Sequence, residues 1–269
     1  MMIFLFSQSR AVLIALEALT LMFVMTRVYD GASALGALLV FVIGSIIAAA
    51  ASAIYAGLLH HRFLLVLYSM QRPDDFIKYY EPLLLSKWIP SNVRFTLTAY
   101  LSNGYAAKGD FSRARKLLDD APKISKRQQL SCDLILCANR ASIALAEGAA
   151  EEAAAQLDRM EQLISSGNLN AKKRAAQETI LKTQRAQLCI LRGKCTMADC
   201  DILRDESRKP GSALRKTELN CFIGRAYAQL GQNPFAKEYL SAAAQSKETC
   251  WGKLAANALK SIRNDSAQK

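Results

Sequence analysis

The chain has 269 residues, 51% of them hydrophobic, and a formal charge of +12 from 35 Lys and Arg against 23 Asp and Glu. That apolar content excludes a disordered chain, and the length suits a membrane segment plus one folded domain. Seven cysteines and two adjacent histidines point to neither a disulfide framework nor a metal centre. No C-x2-C pair is present, and Cys132/Cys137 and Cys195/Cys200 are five apart.

In chain order, the first features are two apolar stretches, residues 11–29 and 34–59, separated by four residues. A helix of roughly 20 apolar residues crosses a ~30 Å hydrocarbon core, so residues 1–62 read as a two-helix transmembrane hairpin. A cleaved leader would end in small residues, whereas the first stretch ends in Met25, Thr26, Arg27, Val28 and Tyr29. Arg10 precedes the first stretch and Arg62, Arg72 and Lys78 follow the second. Basic flanks stay on the cytoplasmic side, which places both termini there, as in a bacterial plasma membrane. Up to the end of the second stretch at residue 59 the charges, Arg10, Glu17, Arg27 and Asp30, cancel, so the whole basic excess lies beyond it.

The second stretch carries small residues every fourth position, Gly44, Ala48, Ser52 and Ala56 on one ridge and Ser45, Ala49, Ala53 and Gly57 on the next. Such ridges allow close helix packing in lipid, either against the first stretch or between two copies of the chain through Gly44, Ala48, Ser52 and Ala56. Glu17 is the one acid well inside a span, and an intramembrane carboxyl needs a partner. By depth that partner is expected to be Ser52 or Tyr55.

Beyond residue 62 strand signals are absent, and apolar residues recur at helical spacing between Gly, Pro, Asn and Ser breaks. Turn glycines at Gly109, Gly148, Gly193 and Gly231 follow one another at intervals of 39, 45 and 38 residues, a period suited to paired antiparallel helices. The long interval implies a longer helix or loop around 165–174. Around Gly109 stand Ser102, Tyr105, Ala114 and Leu118; around Gly231 stand Gly224, Tyr227, Ala236 and Leu240. Small residues at these positions let two helices cross closely, and the aromatic fills the space between them. Copies around Gly148 (Ala141, Ala144, Ala153, Leu157) and Gly193 (Ala186, Cys189, Ala198, Ile202) keep the small residues and lose the aromatic. A weaker leading copy covers 73–84, and 246–262 has the length of a capping helix, which repeat arrays require; residues 263–269 form a polar tail.

This pattern resembles the tetratricopeptide repeat, in four or five copies over 63–262. The resemblance implies an all-α architecture, an α-solenoid of antiparallel helix pairs behind the hairpin, whose concave face grips a protein or peptide partner. The position two before the aromatic faces inward in such repeats and carries over to Asn103, Ser142, Gln187 and Arg225. The carboxylate-clamp version of the family places a Lys four residues before such an Asn; here Ala99 stands there, which argues against an acidic-tail ligand.

The expected activity is therefore that of a membrane-anchored scaffold for protein–protein interaction, not an enzyme, with no cofactor and no metal. No phosphate-binding loop, dinucleotide fingerprint, H-E-x-x-H or G-x-S-x-G occurs, and the only histidines, His60 and His61, sit at the end of the second apolar stretch. Basic clusters at Lys123/Lys126/Arg127, Lys172/Lys173/Arg174, Arg208/Lys209 and Arg215/Lys216 make membrane lipid a second expected partner. They lack interleaved aromatics for base stacking, so nucleic acid is not expected. The alternatives are a basic domain that binds RNA or an anionic lipid surface, and an accessory subunit of a transport or envelope-synthesis complex that uses Glu17.

Overall fold

The computed structural model describes residues 2–31, 33–85 and 89–267. The described residues are all-helical, with no strand: α1 (Met2–Tyr29), α2 (Ala34–Tyr68), α3 (Pro73–Leu84), α4 (Ser91–Lys108), α5 (Phe111–Asp119), α6 (Lys126–Glu147), α7 (Ala150–Ser166), α8 (Ala171–Leu191), α9 (Met197–Arg208), α10 (Ala213–Gln229), α11 (Asn233–Ala244) and α12 (Cys250–Ala267). They divide into two compact units, Met1–Leu65 and Val66–Lys269. The expected boundary after residue 62 thus falls three residues later, because α2 continues unbroken from its apolar run to Tyr68.

In the N-terminal unit, α2 is the one helix among the described residues long and apolar enough to cross a membrane, over Leu35–Tyr68, within which an 18-residue window reaches a mean hydropathy of 2.5. Residues 11–29 are helical within α1, with Glu17 and Arg27 as the charges in that run. Large apolar side chains such as Ile14, Met22, Ile46, Ile47 and Ile54 are more than half exposed. A helix apolar all round and not covered by protein is suited to lipid.

The helices α1 and α2 meet at Glu17, whose carboxylate accepts a hydrogen bond from Ser45 Oγ at 2.8 Å, and at Thr20, which packs on Gly44 so closely that a Cβ there would collide with it. The partner of Glu17 is therefore Ser45, not Ser52 or Tyr55. The turn at Asp30–Gly31 is tight enough that residues equidistant from it face each other, which sets the register about two helical turns nearer the turn than depth alone suggested. Gly44 and Ala48, the latter 2% exposed, are spent inside this unit, whereas Ala49, Ala53 and Gly57 are exposed.

In the C-terminal unit each helix packs on its successor, and α4, α6, α8 and α10 also touch one another in order. The reversals that make this possible are a repeated device. Gly109, Gly148, Gly193 and Gly231 have φ of 95°, 94°, 68° and 74°, a region costly for residues with a Cβ. After each, the next residue donates its N–H to a carbonyl five back: Asp110 to Tyr105, Ala149 to Ala144, Lys194 to Cys189, Gln232 to Tyr227, all at 2.8–2.9 Å. This satisfies a helix-end carbonyl that would otherwise lack a donor. A fifth reversal precedes them at Gln71, with φ 58° and Arg72 N–H on Val66 O. The leading copy expected at 73–84 is α3, which begins just after this reversal and packs on α4.

The small residues sit where the helices cross. Ser102, Ala114, Ala153 and Ala236 are fully buried. A Cβ on Gly224 would lie 2.5 Å from Leu240 Cγ, and one on Gly104 2.6 Å from the Phe76 ring. Tyr105 and Tyr227 are buried aromatics; the first donates to Glu81 at 2.9 Å and the second stacks near Phe235 and Tyr239. Ala198 departs from this pattern: it is exposed, and Cys200 and Leu203 are buried in its stead. The loop after Gly193 is two residues longer than the others, ending in a capping box between Thr196 and Asp199, so the inward position moves from 198 to 200. The long interval between Gly148 and Gly193 is taken up by α7, 17 residues against 9 in α5 and 12 in α9 and α11.

The last helix, α12, begins at Cys250 rather than 246 and runs to Ala267, through most of the expected polar tail. It covers α10 and α11 and also reaches α4. The closure is local: a Cβ on Gly109 would lie 3.5 Å from Cys250 Cβ, and Thr217 Oγ1 donates to Gln71 Oε1 at 3.0 Å. The end of the array thereby meets its beginning.

All seven cysteines are free thiols. Burial pushes Cys221 and Cys250 up to about 12. The unfolded thiol ionises near about 8.5, so above that pH the unfolded chain releases protons that the folded chain keeps, and stability falls as pH rises. At pH 8 a thiol-alkylating reagent is expected to label Cys132, Cys189 and Cys195 before Cys221 and Cys250, read by peptide mass spectrometry.

Gly148 has open space around it, so its replacement isolates backbone strain. Gly148→Ala is expected to cost about 1 kcal/mol and Gly148→Asn less, measured by denaturant unfolding. Gly224→Val, which adds overpacking against Leu240, is expected to cost about 1–3 kcal/mol.

Candidate functional site

The first helices of the pairs enclose a cavity of about 330 Å³, near the lower end of the range that holds small ligands or peptide segments. Tyr68 at the end of α2, Asn103, Ala106 and Ala107 on α4, and Ala138, Asn139 and Ser142 on α6 form one side. Ile180 and Gln184 on α8, Leu214, Arg215 and Glu218 on α10, Glu206 and Ser212 beside them, and Trp251 on α12 complete it.

The polar groups fall into two sets. One set is spent on holding the wall. Glu218 is buried and accepts from Gln187 Nε2 at 3.0 Å and from Arg215 Nη1 at 2.8 Å, so the one carboxylate on α10 is neutralised in place. Asn103 Nδ2 donates to Tyr68 Oη at 3.1 Å, and Gln184 Nε2 donates to Ala138 O at 3.0 Å. The second set is uncommitted. Gln184, 4% exposed, has no partner for Oε1, and the side chains of Asn139 and Ser142 make no hydrogen bond among the described residues. Beside them Trp251 lies 5.7 Å from Phe222 and, with Leu214 and Ile180, gives the cavity an apolar flank. A buried acceptor left without a donor costs free energy, and a ligand N–H would satisfy it.

Of the four residues expected to face inward, Asn103 and Ser142 line the cavity. Gln187 does not: it is fully buried beneath the wall, holding Glu218. Arg225 also lies outside, its guanidinium 5.6 Å from the centroid of the Phe222 ring. The physical reason is a drift along the array. Measured back from the turn glycines, the lining residue is six positions before the turn at Asn103 and Ser142, nine before at Gln184 and thirteen before at Glu218. Each later helix presents a more N-terminal turn, so a fixed position in the repeat leaves the cavity after two copies. Asn139, Gln184 and Arg215 were legible as polar residues on the same helices; Tyr68 and Trp251 come from the two ends of the array, which no repeat position marks.

Arg215→Met removes one of two donors to a buried carboxylate and is expected to cost about 2 kcal/mol, measured by thermal or denaturant unfolding. Arg215→Met combined with Glu218→Leu is expected to recover part of that loss, because no buried charge is then left unpaired.

No protein-family model matches this chain, and neither a curated protein nor a solved structure matches it.

Proposed function

We propose that the chain is a membrane-anchored scaffold built from tetratricopeptide-like helix pairs, whose cavity receives an extended segment of a partner protein. The carrying observation is the juxtaposition of the uncommitted Gln184 acceptor, Asn139 amide and Ser142 hydroxyl with the apolar flank of Trp251, Leu214 and Ile180. Amide and hydroxyl groups can pair with a peptide backbone, and the flank can cover an apolar side chain. The repeated left-handed turns and the small residues at the crossings support the repeat assignment.

On this reading α1 and α2 form a two-span hairpin with both termini cytoplasmic, in the orientation that Arg10, Arg62 and Arg72 favour. The Glu17–Ser45 hydrogen bond pairs the two spans where an unpaired acid would be costly. The anchor's contribution is local concentration: a partner held near a membrane meets other membrane-bound components far more often than one in solution.

A photo-crosslinking amino acid placed at Asn139 in the full chain, expressed in cells, is expected to trap a protein species that is lost when Ser142→Arg and Gln184→Arg fill the cavity. The same crosslinker at exposed Lys237 on α11 should not trap it. Equal trapping at both positions, or trapping that survives the filled cavity, contradicts the proposal.

A further inference from the structure

A second and larger cavity, about 680 Å³, opens where α4, α6 and α8 begin. Its cationic walls are Arg127 on α6 and Lys173 on α8. Both are exposed and neither has an ion-pair partner among the described residues. Exposed and likewise unpaired, Lys123, Lys126 and Lys172 flank them in sequence. Several other basic residues of the unit are matched by acids, among them Arg115 with Glu147 and Glu152, Arg140 with Asp119, Arg185 with Asp158 and Glu161, Arg208 with Asp205, and Lys209 with Glu206. No acidic side chain lines the cavity. Two cations without an ion-pair partner thus line one acid-free cavity, with three more beside them in sequence.

Among polar Asn92, Thr96 and Gln128 the lining also carries an aliphatic strip. Val93 and Ile135 are exposed at 43% and 40%, with Phe95 and Ile124 beside them. Ser125 makes no side-chain cap bond, and it and Ser131 offer hydroxyls at the same opening. Two cations, two hydroxyls and exposed aliphatic side chains within one cavity match an amphiphilic anion better than a purely polar one.

We propose that this cavity binds the headgroup of an anionic phospholipid, with Arg127 and Lys173 at the phosphate and Val93 and Ile135 against the adjoining hydrocarbon. The same chain carries α2, long and apolar enough to cross a membrane, so a lipid surface is a ligand this unit would meet constantly. Single-stranded RNA fits less well, because the strip offers aliphatic side chains and the cavity's one aromatic, Phe95, is 5% exposed and cannot stack on a base. Free phosphate would leave the aliphatic strip unused. The site is independent of the peptide cavity proposed above, and either can fail without the other.

The test uses the full chain in a neutral maltoside detergent, titrated with water-soluble dioctanoyl phosphatidylglycerol, dioctanoyl phosphatidylcholine, inorganic phosphate and a short single-stranded RNA, with binding read by microscale thermophoresis. Phosphatidylglycerol is expected to bind at least about tenfold more tightly than the other three. Arg127→Glu with Lys173→Glu, two exposed positions, is expected to weaken it about tenfold or more, and Ile135→Ser about threefold. Arg208→Glu with Lys209→Glu, outside the cavity, should leave it unchanged. Equal affinity for phosphatidylcholine, undiminished binding by the Arg127/Lys173 variant, or phosphate or RNA bound as tightly as phosphatidylglycerol each overturns the proposal. Far-UV circular dichroism of each variant checks that the helices persist.

Discussion

Five backbone reversals carry the C-terminal unit, each through one residue at positive φ: Gln71, Gly109, Gly148, Gly193 and Gly231. Each lets a helix end on satisfied carbonyls and the chain turn back within a few residues, which is what brings amphipathic neighbours face to face. Everything else in the unit follows from their spacing. Helices of unequal length, from 9 residues in α5 to 22 in α6, are accommodated because the reversals fix where the pairs cross and leave the far ends free to vary. Those far ends are where the basic cavity opens, at the starts of α4, α6 and α8.

The second constraint is closure. An open stack of helix pairs exposes an apolar face at each end, and here α12 covers α10 and α11 while reaching back to α4. Trp251, 5% exposed, sits at that junction and becomes part of the cavity lined by Asn103, Ser142 and Gln184. The Gln71–Thr217 hydrogen bond ties the first reversal to the start of α10. The cavity thus exists because the array returns on itself, and its lining drifts along successive helices for the same reason.

Much of this was legible in the residues. The four turn glycines, the small residues at the crossings and the two buried tyrosines announce helix pairs, because a close crossing tolerates only certain side chains and a left-handed turn favours one. The exceptions have equally physical causes. Gln71 hides a reversal because its side chain repays the strain with a hydrogen bond to Thr217, a contact 146 residues away in sequence. Ala198 was displaced by a two-residue lengthening of one loop, which a capping box stabilises. Gln187 and Arg225 were misplaced because repeat position is local and the curvature of the array is not. Glu17 found Ser45 because a tight turn, rather than depth in a membrane, sets the register of α1 on α2. The two cavities were the least legible features, since each gathers side chains from at least three helices.

The central claim, that the array closes so that α12 meets the α4–α5 turn, has a direct test in the separation of 3.5 Å between a Cβ built on Gly109 and Cys250 Cβ. That distance lies within the range of disulfide-linked pairs. Gly109→Cys in the full chain, oxidised under mild conditions and mapped by peptide mass spectrometry, is expected to yield a monomeric chain in which the introduced thiol is joined to Cys250. A thiol that stays free, or that links only to another chain or another cysteine, would contradict the closed arrangement and the cavity that depends on it.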